Sequence, residues 1–150
     1  MARPSIVLIE ALRSTAARLA GGSSYQWGHF GMCNCGHLVQ TVCRITPHQI
    51  HEVALEGDGD WEMIANAYCP TSGLPIDDLV GELVALGLTT DDIAHLEKLD
   101  DPAILAALPG GHRWLVRNDR ADLVTYLDTW AGLLDQAMPV VIAPPVSLAA

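Results

Sequence analysis

One phenylalanine and one lysine are all that this 150-residue chain holds of those two types, and aromatic residues together make up 5% of it. A core so short of rings must be built from Leu, Val, Ile and Ala, and hydrophobic residues are half of the total. Helices accept that composition readily, whereas sheets ask for more β-branched and aromatic side chains. Basic charge is scarce as well: 8 Lys and Arg face 18 Asp and Glu, for a net charge of −10. An acidic body repels a phosphate backbone and an anionic lipid surface, so neither nucleic acid nor membrane is expected as a partner. No apolar run approaches the ~20 residues of a membrane-crossing helix. The run Ile6 to Ile9, closed by Glu10 and Arg13, is also too short for the apolar stretch of an export signal. A cytoplasmic location is the expectation, and cysteines stay reduced there. The four cysteines, at 33, 35, 43 and 69, are then thiols, catalysts or metal ligands before they are disulfides. Seven arginines to one lysine suggests a GC-rich bacterial genome.

What is present reads as helix. Residues 4–20 place Ile9, Leu12, Ala16 and Leu19 at helical spacing, with Pro4 in the first turn and Gly21-Gly22 as the stop. Residues 23–33, with two serines and no period, form a loop. A helix is expected over Gly36 to Ile45, with Leu38, Val42 and Ile45 inward. Thr46-Pro47-His48-Gln49 has the form of a capping box for a helix reaching about Leu55, and Asp60 can cap another through about Ala67. Pro75 opens a helix whose inner face is Ile76, Leu79, Val80, Leu83 and Leu86. Thr89 and Thr90 cap the next, with Ile93 and Leu96 inward, and Asp101-Pro102 starts a brief one. The last helix runs from about Asn118 to Gln136 on a stripe of Leu123, Leu127, Trp130, Ala131 and Leu134. Only His112 to Arg117 and Val140 to Ile142 look strand-like. The expected fold is all-α: a compact single-domain bundle of about seven or eight short helices over residues 1–137, a Cys/His-rich loop after the first helix, and a Pro/Val-rich tail over 138–150.

The segment Tyr25 to Gln40 concentrates chemistry. Sixteen residues hold two Cys, two His, a Tyr, a Trp and the only Phe, in a glycine-broken loop that runs into a helix. Cys35 falls at the helix start, where free N–H groups and the helix dipole favour thiolate over thiol. A thiolate beside a histidine base is the requirement for acyl transfer from amides and esters, and the same N–H groups can hold an oxyanion.

A helix, then Tyr25-Gln-Trp27-Gly28, then Asn34-Cys35-Gly36-His37-Leu38-Val39, resembles the nucleophile loop and helix of the NlpC/P60 papain-like cysteine peptidases. The resemblance covers about the first 45 residues. It implies Cys35 as nucleophile and Tyr25 as the tyrosine near the oxyanion. Asn34 stands where that family has Asp, and Gly36-His37 replaces Ser-Gly. The family carries its histidine on a sheet after the nucleophile helix, and the only downstream histidine in a strand-like context is His112. The expected activity is a thiol-dependent hydrolase or acyltransferase on a small-molecule or peptide substrate, with no cofactor. Cys35 is the nucleophile, Tyr25 an oxyanion or substrate contact, and His112, or a nearer histidine (His29 or His37), the base.

Two other readings stand beside it. His29, Cys33, Cys35 and His37 supply four ligands within nine residues, and Cys69 sits in a Pro/Gly loop able to fold over them. That set suits zinc or iron. Alternatively the segment plugs the core or binds a partner, since free cysteines often only fill space. Cys43 fits that role. Glu56 to Glu62 lacks the full calcium-loop pattern and reads as a capped turn. His48 and His51 share a solvent-facing helix side. The acidic body with apolar helices permits a homodimer.

Overall fold

The computed structural model describes residues 1–25, 34–43 and 76–141. Among these residues the chain is all-α, with six helices and no strand. They are α1 (Ile6–Ala20), α2 (Asn34–Cys43), α3 (Ile76–Leu86), α4 (Thr90–Lys98), α5 (Pro102–Ala106) and α6 (Arg120–Gln136). The helices expected near 47–55 and 60–67, and most of the tail, lie outside the described residues.

Helix α1 begins two residues later than its proline suggests. Ser5 is the cap, its hydroxyl accepting from the Leu8 N–H at 3.2 Å, and Pro4 precedes the helix. Its far end is a Schellman turn. The Gly22 N–H reaches the Leu19 carbonyl and the Ser23 N–H the Arg18 carbonyl, with Gly22 at φ +101°. Helix α2 starts at Asn34, two residues before the expected Gly36, because Asn34 and Cys35 find partners on α4.

Helix α4 opens with a complete capping box between Thr89 and Asp92. It closes on Leu99 in the left-handed region, φ 55°, a conformation that costs a leucine energy. Burial of that side chain in the core offsets the cost. Asp101 caps α5 through Ala103 and Ile104, and Asp119 caps α6 through Asp122.

The longest packing interface is α1 against α6. The two run antiparallel: Arg13 pairs with Asp135 at 2.9 Å, and the end of α1 lies by the start of α6, where Arg120 reaches the Ser23 carbonyl. Leu8, Leu12, Ala16 and Leu19 meet Leu123, Leu127, Trp130, Ala131 and Leu134, as their spacing predicts. Tyr126, fully buried, joins the same core. The strand-like segment His112 to Arg117 pairs with no strand among the described residues. Asp122 instead fixes it, accepting from the Val116 N–H and from Arg113, both at 2.8 Å, while Trp114 stands 74% exposed.

Candidate functional site

The Schellman turn after α1 delivers Tyr25 to the start of α2. Its hydroxyl lies between two acceptors, Asn34 Oδ1 at 2.7 Å and the Arg117 carbonyl. With one proton, it donates to one of them at a time. Asn34 is completely buried and works in both directions. It receives Tyr25 on Oδ1, and its Nδ2 donates to the Leu96 and Glu97 carbonyls at 3.1 and 3.0 Å. Those carbonyls belong to the last turn of α4, where backbone acceptors lack helical partners. Asparagine is therefore demanded here. An aspartate would aim oxygens at oxygens.

Cys35 sits in the first turn of α2, 5% exposed. Its N–H donates to Glu97 Oε1 at 2.8 Å, and its Sγ lies 3.8 Å from the Ile93 carbonyl. Ile93 and Glu97 are four apart on α4, so one face of that helix meets both ends of the cysteine. The other free thiol described, Cys43, is half-buried at the far end of α2; burial and the Glu82 carboxylate push its pKa up.

His37 is 1% exposed. Burial, reinforced by the Arg18 guanidinium and partly offset by the backbone of Ser24, brings its pKa down to about 4. At neutral pH the ring is uncharged. Arg18 Nη1 donates to Nδ1 at 3.0 Å, which leaves the proton on Nε2. Nε2 has no hydrogen-bond partner among the described residues. The ring lies 5.9 Å from that of Tyr25.

Arg18 gathers α2 onto α1. Besides His37 Nδ1, it donates to Gln40 Oε1 at 3.1 Å, the His37 carbonyl at 2.7 Å and Thr41 Oγ1 at 3.2 Å. Burial pushes its pKa down. No described carboxylate pairs with it, so a cation borne by neutral acceptors stands beside the imidazole.

Of the four residues expected to be catalytic, Tyr25, Cys35 and His37 therefore lie around the start of α2. His112 does not join them. It is exposed, its ring stacked edge-on against Trp114 at 5.2 Å, and it shares no hydrogen bond or ring contact with the other three. Its segment reaches the site through the Arg117 carbonyl.

Of the five expected metal ligands, His29, Cys33 and Cys69 lie outside the described residues. Among the described ones no three His, Cys, Asp or Glu side chains gather as a metal site. A metal on His37 Nε2 would also move the proton to Nδ1, against the Arg18 donors, so the guanidinium would have to leave.

Sequence reasoning missed Arg18 and Glu97. Each borders an apolar stripe, next to Leu19 and Leu96, where a polar side chain can reach across to a neighbouring helix. Comparison with protein families, with curated proteins and with solved structures finds no match for this chain.

Proposed function

We propose that the chain is a thiol-dependent enzyme acting on an amide or ester, with Cys35 as nucleophile. A histidine takes the thiol proton, and the sulfur attacks the carbonyl carbon. The C–N or C–O bond breaks with the proton passing to the leaving group. Water or a second nucleophile then takes the acyl group from the thioester. One observation carries the reading: the amide beside the thiol already engages a negatively charged oxygen, Glu97 Oε1 at 2.8 Å. An amide so placed can do the same for the oxyanion of a tetrahedral intermediate. Tyr25 lies at the same end of α2 as a contact for substrate. His37, neutral and with Nδ1 engaged, serves as a donor through Nε2, and the base falls to His29, which lies outside the described residues; exposed His112, stacked on Trp114, is not placed for the role.

The test is acylation by p-nitrophenyl acetate followed by mass spectrometry. An acetyl group on Cys35, absent from Cys35→Ser, is expected. Cys43 is an internal control, since its raised pKa keeps it a poor nucleophile. Acetylation spread evenly over Cys35 and Cys43, or found on neither even when the Glu97 carboxylate is removed, overturns the proposal.

A further inference from the structure

Every group that the proposed chemistry asks of Cys35 is already engaged by helix α4. The N–H is held by Glu97 Oε1 at 2.8 Å, and the sulfur faces the Ile93 carbonyl at 3.8 Å. The residue is 5% exposed. A carboxylate oxygen is close in charge and size to the oxyanion of a tetrahedral intermediate, and one amide proton cannot serve both at full strength.

We propose that Glu97 is a built-in competitor of substrate, a lock whose carboxylate occupies the oxyanion position at Cys35 and must be displaced before acyl transfer begins. The inference rests on the thiol-enzyme reading and concerns the regulation of that site. In the locked state the helix dipole of α2 is spent on Glu97. When the carboxylate leaves, the Cys35 N–H becomes available to a substrate oxygen. His37, one half-turn further along α2, fits this account. It is buried with Nε2 lacking a partner among the described residues, and an acceptor brought by a ligand is one way to satisfy such a donor. The lock sits on α4, so whatever shifts α4 against α2 controls the thiol.

The experiment compares two reactions of Cys35 in the full chain, using wild type, Glu97→Ala and Glu97→Gln. Acylation by p-nitrophenyl acetate develops an oxyanion; alkylation by iodoacetamide develops none at an acyl carbon. Their ratio therefore isolates the oxyanion position from access to the sulfur and from its protonation. Glu97→Ala is expected to raise the acylation-to-alkylation ratio by about tenfold or more, the worth of one charge-assisted hydrogen bond. Glu97→Gln, whose neutral oxygen competes less well, falls between. Circular dichroism verifies that each variant is folded, and the near-isosteric Gln variant preserves the test if the Ala variant is not. An unchanged ratio with a Cys35 thioester formed by wild type removes the lock and leaves the thiol reading standing. Equal acceleration of both reactions also removes it, assigning Glu97 to access or protonation. No Cys35 acylation in any of the three proteins removes both.

Discussion

Replacing Asn34 by Asp exchanges one heavy atom and tests the account of how α2 meets α4. The Nδ2 group donates to two carbonyls at 3.0 and 3.1 Å from a fully buried position. A protonated Asp carries one hydrogen and can serve one of those carbonyls, so at least one buried acceptor is stranded, at about 1–3 kcal/mol. An ionised Asp serves neither and sets a buried charge against two carbonyls at the end of α4, and burial with those carbonyls outweighs the favourable start of α2. The folded protein therefore prefers the neutral acid, and the introduced carboxyl has a folded pKa above its unfolded value of about 3.9. The stability left to the variant is fully present below about pH 3.9 and is lost as pH rises toward the folded pKa, at about 1.4 kcal/mol per unit. We expect Asn34→Asp to lose about 4 kcal/mol or more at pH 7.5 and about 1–2 kcal/mol less than that at pH 4.5. Urea unfolding followed by circular dichroism at both pH values, read as the difference from wild type, measures this. Asn34→Leu strands the same carbonyls without a titrating group and should show a loss independent of pH. A variant as stable as wild type at pH 7.5, or one whose loss is the same at both pH values, would refute the account.

Three further outcomes are expected. The His37 ring should titrate near pH 4 in the folded protein, far below the ordinary 6.5. Because its folded pKa is depressed, its contribution is present above pH 6.5 and disappears as pH falls from 6.5 toward 4, on the order of 2 kcal/mol. A histidine NMR titration reads this directly. Arg18→Met should raise the His37 pKa only in part, since burial is the larger cause, and a native midpoint at 6.5 in wild type would contradict the burial argument. Tyr25→Phe should cost about 1–2 kcal/mol in thermal unfolding by removing the one donor that Asn34 Oδ1 and the Arg117 carbonyl share, so an unchanged Tm would place the hydroxyl outside the packing. Leu12→Ala, at a fully buried position between α1 and α6, should cost about 2–5 kcal/mol in denaturant unfolding, with a smaller loss showing that the interface collapses to fill the space.

The helices announced themselves where periodicity and caps coincide. Leu12, Leu19, Leu123 and Trp130 recur at helical spacing, and Thr89 and Asp101 are capping residues with a hydroxyl or carboxylate able to accept backbone N–H groups. His112 to Arg117 misled in part. Val116 and Trp114 favour extended backbone, yet among the described residues the segment gains no partner strand: Asp122 accepts from the Val116 N–H, and the Arg117 carbonyl accepts from Tyr25. The site was legible as a location, through the density of Tyr25, Cys35 and His37. Its wiring was not. That Arg18 would turn His37 into an acceptor, or that Glu97 would reach the Cys35 N–H, depends on how α1, α2 and α4 cross, and residues 19 or 62 apart in sequence carry no local sign of meeting. The need for an amide at 34 likewise shows only in space, where the carbonyls of Leu96 and Glu97 meet Asn34 Nδ2.

The hydroxyl of Tyr25 has two claimants and one proton. Drawing the Arg117 peptide away from it strengthens the hold on Asn34, and loosening Asn34 strengthens the hold on Arg117. The surface turn after Trp114 and the root of α2 are thereby linked thermodynamically, and the linkage is reciprocal: a ligand that binds either place more tightly in one arrangement of the proton biases affinity at the other by the same factor.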